Sequence, residues 1–208
     1  MNPGEIHVWR VPLDDAQLLE PTAGEAARAA RFATPELQRR YLRSHAALRA
    51  ILGGMTDARL DFAVTEMGKP FLPTVPHLKF NLSHSHEMAL VGVALEVEIG
   101  VDVEWIRPMP EYQSLAQRFF PPSQAAEVAN QPDFFRRWTR IEAALKARGV
   151  GIYAAGTELA GEWTIEELDA APGYAAAAAA PCEGMRVVLH DFPNGGREPE
   201  AGDQGANW

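Results

Sequence analysis

The chain has 208 residues and a formal net charge of −9, with 47% hydrophobic and 23% charged residues. This length suffices for one large domain or two small lobes with a substantial core. The acidic balance argues against a nucleic-acid-coating surface, and no apolar run is long enough to span a bilayer. Cys182 is the single cysteine, which excludes an internal disulfide and a thiolate metal cage. The first residues do not resemble a signal peptide, so we expect a cytoplasmic protein with neither nucleic acid nor membrane as partner.

The first half of the chain combines strand patterns with an arginine-rich helix. Residues 6–11 alternate like an opening strand, and residues 24–52 follow a helical period that is interrupted near Pro35 and closed at Gly53. The arginines of this helix fit either a solvated helix face or a phosphate-binding face, and composition leaves both open. They are Arg28, Arg31, Arg39, Arg40, Arg43 and Arg49.

A turn and a short strand follow, and both carry residues that suit an anion. Lys69 stands between a glycine and a proline in a turn pattern, and residues 77–80 read as a strand that leads into residues 81–86. The hydroxyl of Ser83 and free backbone N–H groups at a strand end can bind phosphate, and His84 would add a donor. A plain loop of the same composition is the alternative.

The strand predicted at residues 99–104 carries two carboxylates on one face. With a side-chain period of two, Asp102 and Glu104 lie opposite the apolar residues. Gly100 shares their face and, without a side chain, would leave space for a ligand. Adjacent carboxylates repel each other in water, and a hard divalent cation is the usual reason for bringing them together. A solvent-facing sheet edge is the alternative.

An amphipathic helix is predicted between Asn130 and Gly149. Asn130 is a side-chain cap, a proline follows in the first turn, and Gly149 ends the helical pattern. Glu142 and Lys146 stand one turn apart on the same face, where such a pair is either a solvated ion pair or part of a site.

Further strands are predicted at residues 162–165, 173–180 and 185–192. The second contains an alanine run with helix propensity, but prolines bracket it and favour a strand. Residues 193–208 are rich in glycine, proline and acidic residues, and they predict a disordered tail.

Five short motifs occur along the chain in a fixed order. Together they resemble the 4′-phosphopantetheinyl transferases of the surfactin-synthetase-activating type, and the resemblance runs from about residue 28 to residue 180. Each motif is weak alone, whereas five in order are specific. They are Gly68-Lys69-Pro70, Phe80-Asn81-Leu82-Ser83-His84-Ser85, Gly100-Val101-Asp102-Val103-Glu104, Phe119-Phe120, and the helix segment from Trp138-Thr139 through Glu142-Ala143 and Lys146 to Gly149.

The resemblance implies transfer of 4′-phosphopantetheine from coenzyme A to a serine of an apo acyl or peptidyl carrier protein, with Mg²⁺ as cofactor and adenosine 3′,5′-bisphosphate as by-product. It implies metal ligands at Asp102, Glu104 and Glu142. Glu142 would also be the base for the serine hydroxyl, with Lys146 stabilising the departing phosphate. Contacts to the phosphates of coenzyme A are implied at Lys69, Ser83, His84, Arg40 and Arg28.

The fold that the resemblance implies is α+β, with two similar lobes related by a pseudo-twofold axis. Each lobe would be a small antiparallel sheet packed on a long helix. We expect an N-terminal lobe at residues 1–97 with the coenzyme contacts, a C-terminal lobe at residues 98–192 with the metal and catalytic residues, the tail at 193–208, and a monomer.

Two positions depart from the family pattern. Ile141 stands where the family commonly has lysine before the catalytic glutamate. Gln124 stands where a glutamate often follows the Phe-Phe pair, unless Glu127 takes its place. Loss of that lysine removes a positive charge near the coenzyme, but no metal ligand, and we still expect activity.

Two other classes of function compete with this interpretation. A coenzyme A-binding or carrier-binding protein of the same fold could lack the transferase reaction, and the Ile141 departure is its one support. A transition-metal hydrolase site could use His84, His86 and Asp102, because a His-x-His pair on a strand projects both rings to one side. That site would leave Glu142 and Lys146 without a role.

An acidic carrier protein would need a local basic surface on this acidic chain. We expect the pair Arg136 and Arg137 to provide it, while a role in capping or solvating the helix is the alternative.

Overall fold

The structure is a computed structural model, and it describes residues 1–14, 20–151 and 161–193. Within these ranges the chain is a mixed α+β protein, as predicted. The expected disordered tail lies, apart from Pro193, outside the described residues. No helix in the described part of the chain is long and apolar enough to cross a membrane. The elements are β1 (Glu5–Pro12), α1 (Ala23–Ala29), α2 (Pro35–Gly53), β2 (Ala63–Val64), β3 (Pro70–Phe71), β4 (Leu78–Ser85), β5 (Met88–Leu95), β6 (Gly100–Trp105), α3 (Tyr112–Phe119), α4 (Pro122–Ala126), α5 (Gln131–Arg148), β7 (Thr164–Glu167), β8 (Tyr174–Ala180) and β9 (Arg186–Asp191).

The larger sheet has the strand order β4-β5-β1-β9 and packs on α2. Thr34 caps α2 by accepting a hydrogen bond from the backbone N–H of Leu37, and Pro35 occupies the first turn, which explains the interruption in the helical pattern. Leu48 and Leu52 of α2 bury their side chains in one cluster with Phe80 of β4. Burial of each such side chain contributes roughly 1.5–3 kcal/mol.

A second sheet, which we call the smaller sheet, has three strands in the order β6-β8-β7 and packs on α5. Strands β2 and β3 pair separately as a two-stranded ribbon. The alanine run forms strand β8, as predicted, and its small side chains let α5 approach closely. Gly100 of β6 is the tightest point, because a Cβ atom there would lie 1.9 Å from the carbonyl oxygen of Ala143 and 2.5 Å from the backbone nitrogen of Ala147. The expectation that Gly100 leaves space for a ligand is therefore wrong, since the backbone of α5 fills that space.

The two sheets share one apolar cluster. Ile6 and Leu90 of the larger sheet pack with Val101 and Ala178 of the smaller one. Strand β9, which follows the smaller sheet in sequence, pairs in parallel with β1 and so completes the larger sheet. The division into two pseudo-twofold-related lobes near residues 97 and 98 stays a prediction.

Helix α5 has the bounds that its sequence predicts. The side chain of Asn130 accepts a hydrogen bond from the backbone N–H of Asp133, and Gly149 ends the helix with φ of 69°. That left-handed conformation favours glycine, because any other residue would meet a steric cost. The helix thus holds Glu142 and Lys146 against the carboxylate strand β6.

Candidate active site

Asp102 is the most buried carboxylate of the site, with 3% of its surface exposed. Its Oδ1 accepts hydrogen bonds from the ammonium of Lys146 at 2.5 Å and from the hydroxyl of Ser83 at 2.9 Å. Its Oδ2 is buried and has no partner among the described residues. Burial raises the pKa of Asp102, although the charge of Lys146 opposes the shift. The solvent-facing alternative is therefore excluded for Asp102, and an unpaired carboxylate oxygen needs a ligand or costs stability.

Glu104 lies two residues further on the same face of β6. Its Oε2 accepts hydrogen bonds from the hydroxyl of Ser85 at 2.9 Å and from the guanidinium of Arg107 at 3.3 Å. The two carboxylates are thus each held by one serine of the neighbouring strand β4. The sequence prediction that β6 presents both acids on one face agrees with this arrangement.

Helix α5 places Glu142 and Lys146 against these carboxylates. Burial is the largest cause that raises the pKa of Glu142, and the negative charges of Asp102 and Glu104 raise it further, while Lys146 opposes them. The ammonium of Lys146 also donates to the hydroxyl of Ser83 at 3.0 Å. The structure therefore brings together all four residues that the sequence assigned to metal binding and catalysis.

The donor set fits a magnesium ion that arrives together with phosphate. Within the described ranges, no three His, Cys, Asp or Glu side chains converge closely enough to hold a metal ion by themselves. Mg²⁺ commonly binds through one or two carboxylates and completes its shell with water and substrate phosphates, so it needs no such all-protein cage. The unpaired Oδ2 of Asp102 is the oxygen best suited to it.

His84 lies on β4 between the two serines that hold the carboxylates. Desolvation lowers the pKa of His84, and the charges of His45 and Lys146 lower it further. His45 comes from α2, where its ring lies 4.0 Å from the ring of Tyr41 and its Nδ1 lies 3.0 Å from the Tyr41 carbonyl oxygen. His45 lies in no motif and was not predicted as a site residue, although it follows Tyr41 at helical spacing on the arginine-rich helix.

The comparisons with known proteins cover the segment that carries these residues and much of the rest of the chain. A family model described as the 4′-phosphopantetheinyl transferase superfamily matches residues 98–178, the segment that carries β6 and α5. The 4′-phosphopantetheinyl transferase HetI of Nostoc sp. is 42% identical over 166 residues, which cover 71% of this chain and 70% of that protein. This chain belongs to the 4′-phosphopantetheinyl transferase superfamily. The family and the transferase class predicted from the motifs are thereby confirmed.

Two Bacillus relatives extend the comparison. The 4′-phosphopantetheinyl transferase psf-1 of Bacillus pumilus is 32% identical over 158 residues, 68% of this chain and 66% of that protein. The 4′-phosphopantetheinyl transferase of Bacillus subtilis is 33% identical over 105 residues, 48% of this chain and 46% of that protein. The chain thus spans about half the length of the second relative.

Lys69, a predicted coenzyme contact of this transferase family member, lies at the junction of the two sheets. Its ammonium donates to the carboxylate of Glu98 at 2.6 Å and to the carbonyl oxygens of Ile99 at 3.2 Å and Ala147 at 3.0 Å. These acceptors match the three protons of an ammonium, so a phosphate would have to displace one of them. The coenzyme contact of Lys69 stays a prediction.

The two arginines predicted to bind coenzyme A differ in their surroundings. Arg40 is buried and forms ion pairs with Asp14, Glu36 and Glu87 at 3.0, 2.8 and 3.2 Å. Arg28 instead lines an open cavity of about 230 Å³ together with Arg31 and Phe32. Neither arginine contacts the carboxylate site directly, and both assignments stay predictions.

The two departures from the family pattern lie in one groove. Ile141 and Gln124 line it together with Arg136, Arg137 and Arg140, in a volume of about 430 Å³. Glu127, the proposed substitute for the missing glutamate, also lines this groove and accepts a hydrogen bond from Arg137 at 3.1 Å. At about 100° per residue, Ile141 is rotated away from Glu142 around α5, so the two departures alter a surface beside the carboxylates.

The hydrolase alternative finds no support in the site. His86 lies in the turn after β4 with φ of 53°, and its ring stacks on Trp105 at a centroid distance of 4.4 Å. It therefore does not share a strand face with His84. That alternative leaves Glu142 and Lys146 unused. Lys146 forms an ion pair with Asp102 at 2.5 Å, and the charge of Asp102 raises the pKa of Glu142.

Proposed function

We propose that this chain transfers 4′-phosphopantetheine from coenzyme A to a serine of an acyl or peptidyl carrier protein, in a magnesium-dependent reaction that releases adenosine 3′,5′-bisphosphate. The observation that carries the proposal is the buried, unpaired Oδ2 of Asp102 beside Lys146 and close to Glu142. Family membership supports the transfer reaction. We further propose a cytoplasmic monomer whose two lobes are related by a pseudo-twofold axis.

Asp102, Glu104 and Glu142 would contribute carboxylate oxygens to the cation. Because the three side chains do not converge enough to hold a metal ion by themselves, phosphate oxygens of coenzyme A and water would complete its shell. When bound, Mg²⁺ neutralises the negative charge that develops on the pyrophosphate oxygens. Asp102 and Glu104 are fixed on a strand, which keeps their separation constant during the reaction. Glu142 is carried by α5, which packs against β6.

Glu142 accepts the proton of the carrier serine, directly or through a water molecule. Burial raises its pKa, which makes it a better proton acceptor than an exposed carboxylate. The serine oxygen then forms a bond to the β-phosphorus of coenzyme A, the one that carries the pantetheine arm. The bond from this phosphorus to the bridging oxygen breaks, and the electron pair leaves with adenosine 3′,5′-bisphosphate.

Lys146 stabilises the departing phosphate. Its ammonium donates to Asp102 and Ser83 in the structure, so it lies at the edge of the carboxylate site with one proton left for a phosphate oxygen. A fixed cation at the position where negative charge develops stabilises the transition state more than the ground state.

The decisive experiment incubates the protein with a panel of apo carrier proteins, coenzyme A and Mg²⁺ and measures intact carrier masses. We expect the phosphopantetheine mass increment on at least one carrier and none with the Asp102→Ala or Glu104→Ala variant, because each removes a charged metal ligand. Coenzyme A binding without any increment would instead establish the binding-only alternative. Near-normal rates of either variant in limiting Mg²⁺ would contradict the metal assignment.

A further inference from the structure

Strands β4 and β6 lie side by side but belong to different sheets. Alternate side chains of β4 replace the carbonyl oxygens of a neighbouring strand. They accept hydrogen bonds from backbone N–H groups of β6. The Oδ1 of Asn81 accepts from Val101 at 2.9 Å, the hydroxyl of Ser83 from Val103 at 3.4 Å, and the hydroxyl of Ser85 from Trp105 at 3.1 Å. We call these three contacts the β4–β6 side-chain ladder.

The two serines of this ladder make a second contact that the asparagine does not make. Ser83 donates its hydroxyl proton to Asp102, and Ser85 donates its own to Glu104, each at 2.9 Å. The position opposite Asn81 is Gly100, which has no side chain to hold. Each serine therefore binds a carboxylate and the N–H group of the residue that follows that carboxylate.

This double contact fixes the direction of the serine proton. A hydroxyl has one proton and two acceptor lone pairs, so an oxygen that accepts the strand N–H has its proton free for the neighbouring carboxylate. The same bond holds the carboxylate in one rotamer before any cation arrives. Glutamate has more rotamers than aspartate, and it therefore loses more conformational entropy when a metal ion orders it. The restraint matters most for Glu104.

We propose that Ser85 is a positioning residue that preorganises Glu104 for the divalent cation. This inference rests on the proposed function, because it takes Glu104 to be a metal ligand. Ser83 makes the equivalent contact to Asp102, but the family resemblance also assigns it to coenzyme A. Ser85 is therefore the residue on which the positioning role can be tested separately.

The experiment measures Mn²⁺ binding by electron paramagnetic resonance in the presence of coenzyme A, on the whole chain. For Ser85→Ala we expect about tenfold weaker binding, the lower end of the effect known for residues that orient metal ligands, because Arg107 still holds Glu104. Ser85→Thr keeps the hydroxyl and should restore binding. Should Ser85→Ala not fold, Ser85→Cys keeps a similar shape with a much weaker donor and should show the same loss.

Asn81→Ala is the matched control, because it breaks the same kind of strand contact without touching a carboxylate. We expect it to lower thermal stability and to leave Mn²⁺ affinity unchanged. Equal losses of Mn²⁺ affinity in Asn81→Ala and Ser85→Ala would show that only the pairing of β4 with β6 affects metal binding, and would overturn the proposal. Unchanged Mn²⁺ affinity in Ser85→Ala would overturn it as well. Mn²⁺ binding without transferase activity would refute only the proposed function. A wild-type protein that binds no Mn²⁺ would refute both.

Discussion

The ammonium of Lys69 donates a hydrogen bond to the carbonyl oxygen of Ala147 in the last turn of α5, at 3.0 Å. The last carbonyl groups of a helix have no partner within it, and a cation near them also interacts favourably with the helix dipole. The side chain of Lys69 passes Gly149, where a Cβ atom would lie 3.4 Å from its Cδ. The Gly-Lys-Pro turn thus holds the C-terminal end of α5 in place.

We therefore expect Lys69→Met to lower the free energy of unfolding by about 1–3 kcal/mol, the cost of losing hydrogen bonds from a charged donor. Urea denaturation measures this loss. Lys79→Met is the control, because Lys79 also pairs with Glu98, at 3.0 Å, but its side chain is more exposed. Lys79→Met should therefore lower the free energy of unfolding by less than Lys69→Met does. A raised Michaelis constant for coenzyme A in Lys69→Met with unchanged stability would instead make Lys69 a coenzyme contact.

The sequence predicted what local rules determine. A cap at Asn130 and a glycine at Gly149 set the bounds of α5, and the period of two placed Asp102 and Glu104 on one face of β6. It could not predict that Lys69 reaches the end of α5. That contact joins residues far apart in the chain, and only tertiary packing brings them together.

The close contact between Gly100 and the backbone of α5 could not be predicted from local sequence rules, for the same reason. A glycine next to two carboxylates suits a bound ligand and a closely packed helix equally well, and nothing within β6 distinguishes them. The choice depends on Ala143, more than forty residues away, whose carbonyl oxygen lies where a Cβ would stand. The serines of the β4–β6 side-chain ladder likewise gain their role from a strand of another sheet.

Gly100→Ala should destabilise the protein by more than about 3 kcal/mol, because the new methyl group would meet backbone atoms of α5 that no rotamer change can move. Thermal unfolding and the soluble yield measure this effect. Gly53→Ala is the matched control, since nothing lies within 4 Å of a Cβ atom at that helical position. It should be neutral or stabilise by up to about 1 kcal/mol. A wild-type melting temperature in Gly100→Ala would contradict the close approach of α5 to β6.

Glu142→Gln should lower turnover strongly without destabilising the fold. Burial raises the pKa of Glu142 above its ordinary value of 4.5, so the folded protein disfavours the charged carboxylate. The destabilisation is absent when the pH lies well below the ordinary pKa of 4.5. It grows as the pH rises from that value to the folded-state pKa and is complete above it. At neutral pH the neutral glutamine should therefore raise the melting temperature, by a shift on the order of 2 °C.

The measurement is thermal unfolding of Glu142→Gln and wild type across the acidic to neutral range, together with turnover. The difference in melting temperature should shrink towards acidic pH, and turnover should fall about 100-fold or more because the proton acceptor is lost. Adding Mg²⁺ and coenzyme A should stabilise the wild type more than the variant. A variant that melts lower than the wild type at neutral pH would contradict the burial argument.

The basic residues that could receive an acidic carrier protein lie on two sides of α5. Arg136 and Arg137 line the groove beside α4 and β7, where Asp133 and Glu127 pair with them. At about 100° per residue, they are rotated by roughly 120–140° from Glu142 around the helix. Arg107 lies on the other side, 41% exposed, with its guanidinium 3.3 Å from Glu104. Arg107 is therefore an exposed cation in direct contact with one of the carboxylates.

We accordingly expect Arg107→Gln to slow turnover at low carrier concentration more than Arg136→Gln does, although both remove one positive charge and the Arg136 side chain is 48% exposed. Exposed charges mainly accelerate encounter, so the loss should shrink as salt rises and as carrier approaches saturation. Turnover is measured against carrier concentration at low and high salt, with coenzyme A and Mg²⁺ saturating so that a weaker hold on Glu104 does not limit the rate. A larger, salt-sensitive loss of turnover in Arg136→Gln would place the carrier at the groove lined by Arg136 and Arg137, the surface predicted from the sequence. A loss that does not change with salt would mean that Arg107 acts on Glu104 and takes no part in docking.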